Sequence, residues 1–476
     1  MYNQIKISTI IILLICSCQN RKSKTISSIN GTWKSIGSGW ILKIKDSTSY
    51  QFYDITPISC LLNRKGDFKE LEKSLTLKND TLNLLKGVIT YQFTKTQDLP
   101  ELCMNNDEQN KKNPIYNFEV FAETVKEHYA FFEINDIKWD SLYNNQKKKL
   151  TENPTNIELY QVIEETLDLL NDNHAFLEAT DEVYETLDSQ LEPMEETESE
   201  KLPEYGDFQV AQMVAEHHMI EEMTKDSWLI QWGKMTENIG FIQVKAMWLF
   251  ADLNIPKQLI DDVGYVDAYV QTFHKMYEGD YIQKEISGIA KQLDKIMKDL
   301  SEMESIVIDV RFNGGGQDAV SFEILSRFIS KERLQIATQQ LRNGNKLTNV
   351  LPLYIKGSEN TYNKPVYVLT SQQTGSAAEA FSIATLAMDN TKRIGSKTSG
   401  AMSTALEKTL PNGWSFTISN EIYMDNNGKA YENIGIPVDY ELSYPKDRQA
   451  FFRSVVDNLG LDKKNILKAI SVLEKK

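Results

Sequence analysis

The residues best suited to chemistry lie around Ser376, in the segment Thr374-Gly375-Ser376-Ala377-Ala378-Glu379. A serine at the start of a helix can act as a nucleophile, because the helix N-terminus stabilises negative charge and the N–H of Ala377 can bind an oxyanion. The spacing of Ser376 and Glu379 is also that of a helix capping box, in which the serine only caps the helix. The segment is not the Gly-x-Ser-x-Gly turn of the α/β-hydrolases. Both interpretations of Ser376 stay open at this point.

A second segment places three glycines after an apolar run, in Asp309-Val310-Arg311-Phe312-Asn313-Gly314-Gly315-Gly316. Glycines adopt backbone conformations that are closed to other residues, so that main-chain N–H groups can approach a ligand. The Gly-Lys-Ser/Thr ending of a phosphate loop is absent. The N–H groups of Gly314 or Gly315 are therefore candidates for an oxyanion-binding loop, although a glycine turn alone can be just a turn.

Two short apolar runs must position these segments, namely Ser305–Val310 and Pro365–Leu369. Both are rich in Val, Ile or Leu, which predicts buried strands that deliver their C-terminal ends to the two loops. A helical pattern follows each run, so the sequence predicts strand–loop–helix units and an α/β core. We also expect a strand over Asn238–Val244 and a long amphipathic helix within Ala268–Leu300.

Five motifs in order resemble the tail-specific (C-terminal processing) and tricorn-type serine peptidase family, over about residues 115–445. They are Leu170-Asn171-Asp172-Asn173-His174, Asp309–Gly316, Ser376 with its flanks, Ile394-Gly395-Ser396-Lys397-Thr398-Ser399-Gly400, and Tyr431-Glu432-Asn433-Ile434-Gly435-Ile436-Pro437. The resemblance implies an α/β fold, with a crotonase/ClpP-like peptidase core and an N-terminal helical subdomain. A small N-terminal β module precedes the part of the chain that the resemblance covers.

The resemblance argues against a Ser–Lys dyad. Processing-type members carry the catalytic lysine directly after a Thr-x-Gly element, and here Ala401 follows Thr398-Ser399-Gly400. Lys397 lies on the wrong side of this element, and we expect it at the surface.

Tricorn-type members instead pair the serine with a histidine and a supporting glutamate, and this sequence has both. The resemblance thus implies Ser376 as the nucleophile and His174 as the general base. Glu432 would assist by hydrogen bonding, through a further polar residue for which Asn173 is a candidate. Gly314 or Gly315 and Ala377 would form the oxyanion hole. The remaining histidines have no such context and are expected to be structural; they are His128, His217, His218 and His274.

Changes in pattern along the chain predict its domain organisation. The predicted units are a signal peptide (1–17), a tether (18–29), a small β module (30–104), a helical subdomain (114–180), an acidic linker with a short helix (181–227), the catalytic α/β core (228–445) and a C-terminal helical segment (446–476). Residues 181–204 are so acidic that we expect a solvated, mobile loop. No PDZ module is expected within 181–227.

The N-terminus predicts attachment to a membrane by a lipid. Lys6 precedes the apolar run Ile7–Cys16, which is too short to span a bilayer and is typical of a secretory signal. Ile15-Cys16-Ser17-Cys18 resembles the bacterial lipobox, so Cys18 is the expected lipidation site; an ordinary secretory signal is the alternative. The protein is expected in the cell envelope, facing the periplasm. Cys60 and Cys103 form either a disulfide or two unpaired buried thiols.

Composition and charge limit the classes of partner and cofactor that the protein is expected to bind. The chain has 476 residues and a formal net charge of −15, which disfavours nucleic acid as a partner. No metal-ligand motif occurs, so neither a metal nor another cofactor is expected. The sequence predicts a serine peptidase acting on peptides or proteins; its oligomeric state is not predicted. The alternatives are a non-catalytic ligand- or peptide-binding protein on the same scaffold and an esterase.

Overall fold

The structure is a computed structural model that describes residues 29–104, 108–190, 202–276 and 278–475. The predicted signal peptide, the lipidation site Cys18 and almost all of the tether lie outside the described residues. Within the described residues, the helices are all too short or too polar to cross a membrane.

Residues 31–96 form a seven-stranded antiparallel sheet, with the strand order β4-β3-β2-β1-β7-β6-β5. Its strands are β1 (Gly31–Ser35), β2 (Trp40–Lys45), β3 (Ser49–Ile55), β4 (Cys60–Asp67), β5 (Leu75–Lys78), β6 (Thr81–Lys86) and β7 (Ile89–Thr96). Helix α1 (Lys69–Glu72) joins β4 to β5. Alternate apolar residues such as Trp33, Leu42 and Phe93 are buried on one face. A disulfide between Cys60 and Cys103 joins β4 to a 3₁₀ helix at Glu101–Cys103, which settles the pairing that the sequence left open.

The next segment is helical and ends beside a small sheet. It contains α2 (Glu108–Lys111), α3 (Pro114–His128), α4 (Trp139–Lys147) and α5 (Asn156–Leu170). Helix α5 begins at a capping box formed by Thr155 and Glu158. It ends at Asn171, which has a positive φ of 52°. The chain then turns into β8 (Phe176–Glu178), so His174 lies in the connection between the helix and this strand.

The acidic segment differs from its prediction as a loop. Residues Asp181–Gln190 form helix α6, whose Val183 is buried against the helical segment, and Tyr184 and Leu187 also pack there. These contacts order a helix that the charge pattern predicts to be a solvated loop. The described remainder of 181–227 contains α7 (Asp207–His218) and the short strand β9 (Glu221–Glu222).

The core is a second seven-stranded sheet, with the order β21-β17-β16-β12-β11-β10-β9. Its further strands are β10 (Ile230–Lys234), β11 (Ile239–Val244), β12 (Ser305–Asp309), β16 (Val366–Thr370), β17 (Thr391–Gly395) and β21 (Tyr440–Glu441). The five strands from β11 to β21 are parallel, and β9 and β10 are antiparallel. Ile306 and Ile308 belong to one buried cluster and Val307 to another, because alternate residues of a strand face opposite sides of the sheet.

Helices and small sheets surround this core. The helices are α8 (Lys257–Val263), α9 (Tyr265–Phe273), α10 (Glu278–Asp299), α11 (Asp318–Ser326), α12 (Ala377–Thr385), α13 (Arg448–Val456) and α14 (Leu459–Leu473). The remaining strands are β13 (Leu334–Asn343), β14 (Lys346–Leu347), β15 (Leu351–Ile355), β18 (Ala405–Thr409), β19 (Ser415–Ser419) and β20 (Glu421–Met424). The long helix expected within Ala268–Leu300 is α10, which has 22 residues. Strands β12 and β16 each lead through a loop into a helix, as the apolar runs predict.

Candidate active site

Ser376 lies in a strained turn between β16 and α12. Its φ is 51° and its ψ is −123°, a conformation that residues with a side chain rarely adopt. The Ser376 side chain makes no capping hydrogen bond to α12. The capping-box interpretation of Ser376 and Glu379 is therefore wrong, because Glu379 is buried and bonded elsewhere. The turn leaves the serine half-buried, with its hydroxyl not used to cap the helix.

The Ser376 turn is hydrogen-bonded to the loop that follows β12 and contains Gly314, Gly315 and Gly316, here called the glycine loop. The hydroxyl of Ser371 donates to the Arg311 carbonyl, and that of Thr374 donates to the Val310 carbonyl at 2.8 Å. The Gly375 N–H donates to the Asn313 carbonyl at 3.1 Å. The two segments that the sequence singles out are thus one hydrogen-bonded unit at adjacent ends of β12 and β16.

Glu379 fixes the turn from the other side. Its buried carboxylate accepts four hydrogen bonds, from the Thr398 and Ser399 hydroxyls and from the N–H groups of Gly400 and Ala401. The Ala401 carbonyl in turn accepts the Ser376 N–H at 2.9 Å. Burial raises the pKa of Glu379, and the four donors oppose this effect. Glu379 therefore holds the loop that holds the Ser376 backbone.

The glycine loop packs directly against Ser376. Gly315 has a φ of 115°, and a Cβ atom on it would lie 2.6 Å from the Cβ of Ser376 and 3.0 Å from the Ala377 nitrogen. Only glycine fits this close approach. The Gly315 N–H donates to the side-chain oxygen of Asn313 at 2.9 Å, which differs from the oxyanion role expected for it. For Gly314 and Ala377 no backbone acceptor occurs in the described part of the chain.

His174 is held by a short anchored loop. Its backbone N–H donates to Asp172, and Asp172 also accepts from the N–H and hydroxyl of Ser419 in β19 at 2.7 Å each. The Thr417 hydroxyl donates to the His174 carbonyl. Asp172 thus fixes the backbone of His174 rather than its ring. Burial lowers the pKa of His174, although the Asp172 charge acts in the opposite direction.

Ser376 and His174 line the same cleft, which has a volume of about 240 Å³. Asp318 and Met402 also line it. Among the described residues, no hydrogen bond joins the Ser376 hydroxyl to the His174 ring, and the buried Nδ1 of His174 has no partner. Serine and histidine are brought together, in an arrangement looser than a hydrogen-bonded pair; such pairs often tighten only when substrate binds.

Glu432 and Asn173 do not make the contacts expected of them. Glu432 is 5% exposed and accepts the Met402 N–H at 3.0 Å. Burial raises its pKa to about 8, so it is largely protonated at neutral pH. Asn173 is exposed in the turn after Asn171 and is not a lining residue of the cleft. Neither side chain hydrogen-bonds to Nδ1 of His174 in the described part of the protein.

A buried ion-pair network supports the glycine loop. Arg311 is fully buried and binds Asp309 at 2.7 Å and Asp462 of α14 at 2.9 Å. Asp462 also contacts Nε2 of His218 at 3.0 Å. The Arg311–Asp309 pair agrees with the charges in the sequence, but the link to Asp462 spans 151 positions and has no local signal. Lys397 is exposed, as expected.

Sequence reasoning missed several residues around the cleft. Glu379 holds the Thr398–Ala401 loop, and Asp318 follows the glycine loop and lines the cleft. Burial raises the pKa of Asp318 to about 6, while the Tyr423 hydroxyl donates to its carboxylate. Five residues of the β6–β7 hairpin also line the cleft. The hydroxyl and N–H donors of Thr398-Ser399-Gly400 were a sequence signal for a buried acceptor such as Glu379. No local sequence feature indicates that the hairpin lines the cleft.

Known proteins resemble this chain in both sequence and fold. Residues 262–442 match the family model described as Peptidase family S41, a segment that includes Ser376 and Glu432 and begins after His174. A crystal structure of a putative peptidase from Parabacteroides merdae is 20% identical, with a TM-score of 0.51 over 73% of this chain and 96% of that one. Mature CPAF complexed with lactacystin is 12% identical, with a TM-score of 0.52 over 76% of this chain and 100% of that one.

The family model confirms the predicted family resemblance over a segment that holds four of the five motifs, and the two solved structures show that the fold is shared. The fold is accordingly that of an S41 peptidase, with mixed helices and sheets. Residues 262–442 therefore form a peptidase family S41 domain, which makes the protein a serine-type peptidase.

Proposed function

We propose that the protein hydrolyses peptide bonds through an acyl-enzyme on Ser376, with His174 as the general base. The observation that carries the proposal is the shared cleft of Ser376 and His174, beside a serine held in a strained turn. Burial lowers the pKa of His174, so its ring is neutral at pH 7 and can accept a proton. The core sheet with its flanking helices would be the crotonase/ClpP-like peptidase core.

The proposed steps conserve atoms and charge. The Ser376 Oγ attacks the scissile carbonyl while its proton passes to His174, and the C–N bond breaks as His174 returns that proton to the leaving amine. Water then attacks the acyl-enzyme by the same route and releases the acid. The N–H groups of Ala377 and Gly314 would stabilise the oxyanion. Glu432 would act behind the cleft, as a buried and largely neutral acid that holds Met402.

Labelling with a fluorophosphonate serine probe tests Ser376 directly. We expect labelling of the wild type, none of Ser376→Ala, and unchanged labelling of Ser189→Ala, which alters an exposed serine. Equal labelling of the wild type and Ser376→Ala would exclude Ser376 as the nucleophile.

Peptide hydrolysis tests His174. We expect His174→Ala to lose at least about 100-fold in kcat, since general-base catalysis contributes about 10²–10⁴-fold. His217→Ala is the matched control, because His217 is exposed and distant in sequence. Equal activity of both variants would refute the role of His174. The non-catalytic binding alternative predicts no hydrolysis by any of these proteins.

We further propose that residues 1–17 are a lipoprotein signal and that Cys18 carries the lipid, which would place the enzyme on a bacterial membrane facing the periplasm. The support is the short apolar run before Ile15-Cys16-Ser17-Cys18. We expect incorporation of an alkyne fatty acid into the wild type and none into Cys18→Ser. Incorporation into both would refute lipidation at Cys18.

A further inference from the structure

The hairpin of β6 and β7 reaches from the N-terminal sheet into the cleft. Lys86, Gly87, Val88, Ile89 and Tyr91 all line the space that Ser376 and His174 share. The hairpin precedes both His174 and Ser376 in sequence, and its Tyr91 also bonds Glu421, which is 330 positions later and does not line the cleft. One wall of the cleft therefore belongs to the N-terminal sheet and not to the peptidase core.

Buried polar contacts fix this wall in place. The Tyr91 hydroxyl donates to Glu421 at 3.1 Å, and both side chains are buried. Lys408 of β18 forms a buried ion pair with Asp54 at 2.6 Å. The Asn420 side chain donates to the Gly37 carbonyl at 2.8 Å. Paired buried charges and hydrogen bonds are costly to break, so the sheet is docked rigidly on the core.

Apolar packing continues across the same boundary. Trp33 and Phe93 of the N-terminal sheet belong to one buried cluster with Ile242 and Ile308 of the core sheet. Val88 packs against this cluster, and a Cβ atom on Gly87 would lie 3.5 Å from Ile282 of α10. The tip of the hairpin thus packs against α10, whose Ile282 also lines the cleft.

The cleft is small. Its volume of about 240 Å³ lies below the range of roughly 300–1,000 Å³ for pockets that enclose drug-sized molecules. Such a space accommodates one side chain of a bound peptide rather than several. The other lining residues include the small Gly316, Ala319 and Ala405 and the larger Ile282 and Met402. Val88, at the tip of the hairpin, is one of the apolar side chains that bound this space.

We propose that the β6–β7 hairpin is a specificity element, with Val88 limiting the size of the substrate side chain placed beside Ser376. This inference rests on the proposed peptidase function. The N-terminal sheet would accordingly take part in substrate selection, and peptides would bind between it and the core.

Enlarging the wall tests the proposal. We expect Val88→Trp to lower kcat/KM at least about 10-fold for a peptide with Phe next to the scissile bond, relative to the same peptide with Ala, since steric differences of this kind change rates by about 10–200-fold. Leu85→Trp is the matched control, because Leu85 is on the same hairpin and 47% exposed. We expect this control to leave unchanged the ratio of kcat/KM for the Phe peptide to kcat/KM for the Ala peptide, called the Phe/Ala ratio below.

A second variant keeps the proposal testable if Val88→Trp does not fold. Val88→Ala enlarges the cleft, and we expect it to raise the Phe/Ala ratio, with melting curves recorded for all variants. An unchanged ratio in both Val88 variants, or an equal shift in Leu85→Trp, would overturn the proposal. Probe labelling of Ser376 distinguishes failure of the hairpin proposal from failure of the proposed peptidase function. If labelling depends on Ser376 but the Phe/Ala ratio is the same in the Val88 variants, the hairpin proposal alone is wrong.

Discussion

Burial controls the protonation of single residues around the cleft. It lowers the pKa of His174 and raises that of Glu432 to about 8, because a buried site disfavours the charged form of either group. The base is thereby neutral and the acid protonated at pH 7. These protonation states are the reverse of those in a charged histidine–carboxylate pair, and they affect both activity and stability.

The acid limb of the activity profile should report His174. Because its pKa is lowered from the usual 6.5, we expect kcat/KM for peptide hydrolysis to fall on acidification with a midpoint below pH 6.5, as the ring is protonated. A pH series between 4.5 and 8.5 measures this, with the folded state checked by circular dichroism. A limb centred above pH 7 would contradict the lowered pKa of His174.

Glu432→Gln should stabilise the protein at alkaline pH. The folded state raises the pKa of Glu432 from 4.5 to about 8, so it binds the proton more tightly than the unfolded state, and stability falls as pH rises through this interval. Glutamine mimics the neutral acid and can still accept the Met402 N–H. We expect equal stability at pH 4.5 and a gain that grows by up to about 1.4 kcal/mol per pH unit from there to about pH 8.

Glu441→Gln is the control for these stability measurements. Glu441 is exposed, so its substitution should give no gain in stability at alkaline pH. If the stability difference between Glu432→Gln and the wild type does not grow between pH 5 and 9, Glu432 is ionised in the folded protein.

At the scale of elements, loops without regular structure are held by side chains from neighbouring helices. Glu379 in the first turn of α12 bonds the Thr398–Ala401 loop, and that loop accepts the Ser376 N–H. Ser371 and Thr374 tie the same turn to the loop after β12. The strained φ of Ser376 persists because these bonds fix the turn from both sides.

Glu379→Ala should lower both stability and nucleophile reactivity. It leaves four donors without their acceptor, and each buried donor left unpaired costs about 1–3 kcal/mol. We expect a large loss in urea unfolding and slower probe labelling of Ser376 at temperatures where the variant is folded. Glu407→Ala, which removes an exposed carboxylate, should change neither. Wild-type labelling kinetics in folded Glu379→Ala would show that the loop does not position Ser376.

Across the whole molecule, distant parts of the chain complete the site. The N-terminal sheet supplies one wall of the cleft, the helical segment supplies His174, and α14 supplies Asp462 to the ion-pair network behind the glycine loop. Burial opposes the charge of Asp462, but Arg311 and His218 outweigh it and lower its pKa. Its stabilising effect is therefore present above the usual carboxyl pKa and is lost as pH falls below it.

Asp462→Ala should destabilise the protein by about 3–5 kcal/mol, as expected when one partner of a buried ion pair is removed. Asp207→Ala is a fitting comparison, because Asp207 pairs with Arg448 at an exposed position and should cost less than about 1 kcal/mol. Urea unfolding at pH 7 measures both. Similar losses in the two variants would mean that the buried network adds no stability.

The sequence by itself determined the local features. Apolar runs predicted β12 and β16, and glycines predicted a close backbone approach, because periodicity and conformational freedom are properties of short segments. The motif order predicted the family and singled out Ser376 and His174. The capping spacing of Ser376 and Glu379 was misleading, because the same spacing serves a glutamate that bonds a different loop.

Only the tertiary structure decided what depends on distant contacts. Asp181–Gln190 is a helix against its charge pattern, because Val183, Tyr184 and Leu187 pack on the helical segment. The Cys60–Cys103 bond, the link from Arg311 to Asp462 and the hairpin wall of the cleft join positions that are far apart in the chain. Such pairs leave no trace in local composition, because the free energy of burial and pairing arises only when the chain has folded and the partners meet.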